Sequence, residues 1–391
     1  MNLALGNNYD NQFTKYFLPL EDPRRTQKGN FMYPLVEVLF LSLSAVLCGF
    51  QTNDDIQQFG ELKIDWLRKF YPFTEGIPSH DTIGRVFRHL NPTLFNECFI
   101  QWVSSLTELT SGQVIGIDGK TIKGSANAKK NAIHVVSAFA SMNGLCIGQV
   151  TTAKKSNEII AIPELLGLIT IKGMIVTIDA MGCQLDIAKK IIENQGDYIL
   201  QVKGNQEKTK EEIEIQFNTD LVCDSNMVEE YGHGRAETRI CEIIKDIEDI
   251  PVLSKWTEIK SLIRITTQVF EPSMQKERAE VRYYISSLNT TAEKFNQFIR
   301  SHWAIENNLH WTLDVTFNED KQQRKKNHAA ENMNMLCKMA LNILKLDKDN
   351  KKSMKWKKNR AICIDEYREK LMSLIHSPVK LIPERVSSLQ F

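Results

Sequence analysis

Two short apolar runs, each ending in aspartate, constrain this chain more than anything else in it. They are Val114-Ile115-Gly116-Ile117-Asp118 and Met174-Ile175-Val176-Thr177-Ile178-Asp179. Runs of this length, rich in β-branched residues, read as buried strands. A carboxylate at the C-terminal tip of a buried strand is costly to desolvate unless something positive compensates it. Two such tips on neighbouring strands, joined by a third carboxylate, would make a cage for divalent metal ions.

The hydrophobic period changes at Val114. Residues 1 to about 108 read as helical. A buried helix is expected from Pro34 to Gly49, because the apolar stretch Leu35–Phe50 is interrupted by Glu37 and is shorter than a membrane span. A second helix is expected over Pro78–Leu90. Ser79 is its candidate N-cap, and Ile83, Val86, Phe87 and Leu90 form its apolar stripe. Arg85, Arg88 and His89 fall off that stripe. This helix reads either as the recognition helix of a helix-turn-helix-like unit or as part of a small bundle with a solvated basic face.

After Val114, strands are expected at 114–118, 133–141 and 146–153, with Asn143-Gly144 as a hairpin turn. A helix at 158–168, a strand at 174–179, a helix at 184–194 and a strand at 198–203 follow. This ββαβαβ order predicts a mixed sheet with helices packed on it. Residues 205–288 read as an insertion, with a charged helix at 205–218 and strands near 235–245, 261–270 and 279–288. A long helix starts near Thr290, where Thr290 and Glu293 fit a capping box. Lys345–Arg360 carries eight basic residues around Trp356, and reads either as a phosphate-binding run or as a solvated tail.

The formal net charge is +1, so any nucleic-acid footprint must come from local clustering. The eight cysteines form no CxxC pair and no zinc-like spacing with histidine, and read as reduced thiols of an intracellular protein. The N-terminus has neither a basic region nor an apolar core of the signal-peptide kind. No membrane association is expected.

The third carboxylate is Glu306, in Arg300-Ser301-His302-Trp303-Ala304-Ile305-Glu306-Asn307-Asn308-Leu309-His310-Trp311. On a helix, His302, Glu306 and His310 share one face. Asp314, Glu319 and Asp320 compete with Glu306 for the role. Two Asp and one Glu suit Mg²⁺, whereas the His-x₃-Glu-x₃-His face admits a zinc site. Two hard cations about 4 Å apart would support phosphoryl transfer on nucleic acid. Trp303 and Trp311 on this helix read as core residues rather than base-stacking platforms.

In combination these motifs resemble the ISAs1 group of transposases, which includes the H-repeat-associated proteins, among the DDE transposases related to the IS4 superfamily. The resemblance runs from about Asp22 to Leu346. It rests on Ile77-Pro78-Ser79-His80-Asp81-Thr82, Ile117-Asp118-Gly119-Lys120, His134-Val135-Val136-Ser137-Ala138-Phe139 and Lys155-Ser156-Asn157-Glu158-Ile159. It continues through Thr177-Ile178-Asp179-Ala180-Met181-Gly182-Cys183-Gln184, Lys203-Gly204-Asn205-Gln206, Gly232-His233-Gly234-Arg235 and His302-Trp303-x-Ile305-Glu306-Asn307-x-Leu309-His310-Trp311.

The resemblance implies an α/β fold: an RNase H-like mixed-sheet catalytic core with a β-rich insertion and a helical N-terminal domain. The corresponding divisions are 1–108 (N-terminal, DNA-binding), 109–346 (catalytic) and 347–391 (basic tail). It implies the triad Asp118, Asp179 and Glu306 as catalytic residues and Mg²⁺ ligands, with Mn²⁺ able to substitute. The implied partners are the terminal inverted repeats of the protein's own element and target DNA, bound by a homo-oligomer in the bacterial cytoplasm. Lys120, Lys203, Asn205, His233, Arg235, His302 and His310 are the candidate DNA contacts. Lys120 reads equally as a turn lysine, Lys203 and Asn205 as a capped helix start, and His233 and Arg235 as an ordinary hairpin turn. The IS4-type signature Tyr-x₂-Arg-x₃-Glu-x₆-Lys falls here on Ile299, His302, Glu306 and Leu313, so the distal lysine is absent. The expected activity is cleavage of element ends and joining to target DNA. The alternatives are a nuclease that cuts without joining and a silent DNA-binding remnant.

Overall fold

The computed structural model describes residues 11–24, 32–126, 131–152, 157–219, 221–232, 234–271 and 276–375. The chain divides into two compact units. One is Thr110–Lys325; the other joins Met1–Leu109 to Lys326–Phe391.

The helical unit begins with α1 (Gln12–Phe17), α2 (Leu35–Leu47), α3 (Asn53–Leu67), α4 (His80–His89) and α5 (Pro92–Leu106). Every residue of α2 is buried, as its apolar sequence requires. Its one carboxylate, Glu37, accepts a hydrogen bond from the Phe73 backbone N–H at 3.3 Å. Among the described residues no helix is long and apolar enough to cross a membrane. In α4, Ser79 caps the N-terminus and the stripe Ile83, Val86, Phe87 and Leu90 is buried. Arg85 and His89 are exposed, whereas Arg88 donates back to the Gly84 carbonyl at 2.7 Å.

In the second unit β1 (Val114–Ile122) pairs antiparallel with β2 (Ile133–Ala140), which pairs antiparallel with β3 (Leu145–Thr152). Helix α6 (Glu158–Leu168) crosses to β4 (Ile175–Ile178), parallel to β1. Helix α7 (Leu185–Glu193) crosses to β5 (Asp197–Val202), parallel to β4. The order β3-β2-β1-β4-β5 with these directions is RNase H-like. Strand β1 does not stop at Asp118 as the apolar run suggested. Its ladder with β2 carries on to Ile122 opposite Ile133.

Helix α8 (Glu207–Phe217) precedes β6 (Asp224–Gly232), β7 (Arg235–Ile244), β8 (Ser261–Glu271) and β9 (Lys276–Ser286). Strand β9 pairs antiparallel with β5, so the insertion extends the core sheet to nine strands. Strand β6 escapes sequence reading because it is a polar edge strand with little burial. Helix α9 (Ala292–His302) lies on this sheet. Its Ala292, Phe295 and Ile299 pack with Val114, Ile175, Ile199, Ile243, Ile263 and Tyr284. Its N-cap is Thr291, one residue beyond the expected Thr290. After α9 the chain makes a π turn (Ile305–His310) and then α10 (Trp311–Thr316).

Three more helices complete the helical unit: α11 (Ala329–Leu346), α12 (Met354–Cys363) and α13 (Asp365–Ser373). Helices α12 and α13 follow the expected boundary at 346, and part of the basic run beyond it is built into the helical unit rather than solvated. Lys357, in the basic run, is buried and donates to the Leu344 and Asp347 carbonyls at 3.0 and 2.6 Å, capping the end of α11. Arg368 is fully buried, with its guanidinium 4.3 Å from the Trp66 ring centroid and hydrogen bonds to the Ala361 carbonyl and Asp365. Charged side chains so used read in sequence like a tail, since composition does not reveal their partners. The cysteines are all free, and Cys48, Cys146, Cys183, Cys241 and Cys337 are buried.

Arg368→Ala should lower the stability of the helical unit by about 2–4 kcal/mol, because it leaves the buried Ala361 carbonyl without its donor and opens a cavity beside Trp66. Urea denaturation followed by circular dichroism measures this; a loss under about 1 kcal/mol would mean that α13 contributes little to that unit.

Candidate active site

The parallel pairing of β1 with β4 ends at Ile117 opposite Ile178. The next residue on each strand is an aspartate, so Asp118 and Asp179 stand side by side where the two strands part. β1 continues along β2 with Asp118 opposite Ser137. The chain after β4 turns at once into a short 3₁₀ turn (Ala180–Gly182), which Asp179 caps by accepting the Met181 N–H at 3.1 Å. Asn205 donates to the Ala180 carbonyl at 2.7 Å and so buttresses that turn. This bond is a third role for Asn205, beside the DNA contact and the capped helix start that the sequence offered.

Glu306 lies on the π turn and is exposed. With Asp179, Lys203, His302 and Trp303 it lines a cavity of about 150 Å³ floored by Thr177, Gln201 and Tyr284. Lys203 is exposed at its edge. The two histidines flanking Glu306 serve different strands. His302 Nδ1 is 2.9 Å from Thr177 Oγ1 on β4, and His310 Nδ1 is 3.3 Å from Asp118 Oδ2 on β1. His310 Nε2 is buried and has no hydrogen-bond partner.

The three carboxyls sit in different electrostatic conditions. Burial pushes Asp118 up, but the hydrogen bond and charge of His310, the charge of His302 and the Gly119 N–H outweigh it and hold Asp118 below the ordinary range. Asp179 is raised by burial first, then by the charges of Asp118 and Glu158, against opposing backbone N–H groups. Glu306 is exposed as a residue, but its carboxyl is partly withdrawn from water, which with the charge of Asp118 raises it against His310 and Arg282. Burial lowers His302, leaving it neutral near pH 7. Among the described residues no three His, Cys, Asp or Glu side chains close into a ready metal cluster. The carboxylates interact through charge rather than through direct contact.

Lys120 is not free. Its Nζ donates to Asp314 Oδ1 at 2.5 Å and to Glu319 Oε2 at 2.6 Å. Asp320 pairs with Lys123 at 3.2 Å. The three carboxylates that competed with Glu306 are therefore committed to lysines of β1 and the turn after it. Burial works against the charge of Lys120, but Glu319 and Asp314 hold its pKa above the usual value.

Trp311 is 60% exposed, and Trp303 is half-buried under the Arg282 guanidinium, 4.9 Å from its ring centroid. Neither is the fully buried core residue expected. Arg235 is exposed and 3.5 Å from Glu237. His233 lies outside the described residues.

Sequence reading missed a further network beside Asp118. His134 and Glu158 form a buried ion pair, and His134 Nδ1 is 2.9 Å from Thr121 Oγ1. A Cβ at Gly119 would collide with both side chains, so glycine is required there. The Gly-Lys after Asp118 and the distant Asn-Glu pair carried that signal, but nothing in their spacing joins them.

Lys120→Met should cost about 3 kcal/mol of stability, since it strands Glu319 without its cation. Chemical denaturation reads this. An unchanged midpoint, with DNA affinity reduced instead, would restore Lys120 as a phosphate contact.

Comparison with known proteins fits this geometry. A family profile described as "Transposase DDE domain" matches residues 110–343, and one described as "DDE_Tnp_1-associated" matches residues 14–103. "Putative transposase YncI" of Escherichia coli O157:H7 is 41% identical over 360 residues, covering 90% of this chain and 92% of that protein. "H repeat-associated putative transposase YhhI" of Escherichia coli K12 is 42% identical over 352 residues, covering 88% of this chain and 92% of that protein. Among solved structures, the piggyBac transposase synaptic complex with hairpin DNA matches at 13% identity with a TM-score of 0.42, over 95% of this chain and 79% of that one. With the family profile spanning well over half its length, the chain belongs to the DDE transposases, in the ISAs1 group with the H-repeat-associated proteins.

Proposed function

We propose that this chain cuts the ends of its own mobile element and joins them to target DNA, with Asp118, Asp179 and Glu306 as the metal-binding catalytic residues. One observation carries the reading. Two aspartates follow the last paired residues of parallel strands, and a third carboxyl on the π turn feels the charge of both. The donors are all hard oxygens, which suit Mg²⁺ or Mn²⁺ rather than zinc. Two of the three carboxyls are held high by burial and by a neighbouring carboxylate, a cost that a divalent cation would remove. Bound there, such ions would activate the attacking oxygen and stabilise the leaving one during in-line displacement.

The chain's own residues hold this site in order. His310 fixes Asp118 in its ionised form, and neutral His302 braces β4 through Thr177. The capping bond of Asp179 and the Asn205 amide keep the turn after β4 closed. Lys203, exposed beside the cavity, would meet a DNA phosphate in this reading. Water attack on the phosphodiester at the element end frees a 3′-hydroxyl, and that hydroxyl then displaces a phosphodiester oxygen of the target strand. Holding two element ends together calls for at least two copies of the chain.

The test is incubation of the protein with Mg²⁺ and end-labelled DNA carrying the inverted repeats that flank its gene, beside Asp179→Ala. Nicking at the repeat ends should appear with metal and fall at least ~10²-fold in the variant, a loss on the scale of removing a main transition-state stabiliser. Nicking without strand joining would favour a nuclease. Repeat binding with no nicking in Mg²⁺ or Mn²⁺ would favour a silent remnant.

A second test reads the electrostatics. A carboxyl raised on folding binds its proton more tightly in the folded state. Its contribution to stability is full at low pH and is lost as the pH rises through the folded pKa. In EDTA near pH 7, Asp179→Asn should therefore raise the melting temperature by about 2–4 °C, the effect of roughly 1 kcal/mol in a domain of this size. Mg²⁺ should stabilise the wild type and leave the variant unmoved. Equal Mg²⁺ shifts in both would count against Asp179 as a ligand.

A further inference from the structure

Strands β7, β8 and β9 present one face to α9, and that face changes character along its length. Near the core it is Cys241, Ile243, Ile263, Ile265 and Tyr284, packed under Phe295 and Ile299. Further out, the same alternation places Arg235, Glu237 and Arg239 on β7 and Arg278, Glu280 and Arg282 on β9. There the sheet and α9 enclose a cavity of about 320 Å³, lined by Arg235, Arg239, Arg278, Arg282, Arg300 and Trp303 among others. It shares Tyr284, Ile299 and Trp303 with the cavity that holds Asp179 and Glu306.

The cations in this cavity are unevenly satisfied. Arg278 pairs with Glu271, and Arg282 pairs with Glu280 at 2.7 Å. Arg235, Arg239 and Arg300 instead share Glu230 and Glu237, three guanidiniums on two carboxylates. The buried member fares worst. Arg239 is 6% exposed, and its Nη2 stands 3.5 Å from both carboxylates, too far for a charge-assisted hydrogen bond. That nitrogen has no hydrogen-bond partner. The Nη1 of Arg239 donates to Asn296 Oδ1 at 3.4 Å, so one buried guanidinium nitrogen is left short of an acceptor in a cavity lined by more guanidiniums than carboxylates, a setting that suits an anion.

We infer that this cavity holds a phosphodiester of the DNA strand beside the scissile bond, with Arg235, Arg239 and Arg300 as its ligands. The inference rests on the transposase reading above and adds a substrate contact to it. A phosphate oxygen supplies the acceptor that Arg239 lacks and balances the third guanidinium. The Arg282–Trp303 stack forms the wall between this phosphate and Glu306. The contact thus positions the strand and takes no part in bond making.

The test uses fluorescein-labelled duplex DNA carrying the flanking repeats, with binding read by anisotropy over a salt series. Arg235→Gln with Arg300→Gln removes two half-exposed cations. It should raise Kd about tenfold and flatten the slope of log K against log salt by about 1, at roughly 0.9 for the one phosphate no longer neutralised. The Arg235→Lys/Arg300→Lys pair should recover most of the slope, and Arg239→Met should weaken binding with a melting temperature close to wild type. Free inorganic phosphate at millimolar concentration should not compete; competition on wild type alone would make the cavity a site for small phosphates and overturn the DNA assignment. Wild-type binding with unchanged Kd and slope in both the Gln pair and Arg239→Met would also overturn it, leaving the transposase reading intact. A wild type that neither binds nor nicks the repeats would sink both.

Discussion

The site depends on where one ladder stops. β1 and β4 pair in parallel over four residues and part at Ile117 and Ile178. Because the register is in step, the first unpaired residue on each strand is an aspartate, and both carboxyls emerge at the same level of the sheet. A slip of one residue would send one of them to the opposite face. The ladder with β2 fixes β1 from the other side, and the Met181 N–H fixes Asp179. The pair is thus specified by backbone hydrogen bonds before any metal or substrate is involved.

Charge around that pair is kept in check by pairing elsewhere. Carboxylates that could crowd the site are bound by lysines: Asp314 and Glu319 by Lys120, and Asp320 by Lys123. What remains is one carboxyl held ionised by a histidine and two held high by burial and by the charge of a neighbouring carboxylate. An arrangement of that kind is short of positive charge, a deficit that the metal binding proposed above would relieve.

Much of this was legible in the chain. The change of period at Val114, the Asn143-Gly144 turn and the alternation of apolar runs with helical patterns carried the ββαβαβ order, and the expected strands lie within a few residues of β1–β5. Other features were not legible, each for a physical reason. Strand β6 is polar because it lies at an edge and faces solvent. The ion pairs of Lys120 span nearly two hundred residues of chain, so no local spacing announces them. The basic run after Lys345 looks solvated by composition, yet Lys357 caps α11, and Arg368 beyond it lies on Trp66. The Arg-x-Glu-x-Arg alternation at 235–239 was present as a strand pattern. Only pairing with β8 and β9 shows that it faces a cavity rather than water.

The π turn was equally hidden, and it explains why a helical-face argument is right about proximity and incomplete about geometry. On a continuous α-helix, His302, Glu306 and His310 would stack along one stripe and face one partner. The π turn starts just after α9 and widens the backbone through Glu306, so the three side chains fan out. His302 reaches β4, His310 reaches β1, and Glu306 turns to the cavity between them. Local departures of this kind cluster where a side chain must be aimed rather than packed. The π turn after α9 and the parting of β1 from β4 both interrupt regular structure beside these three carboxyls.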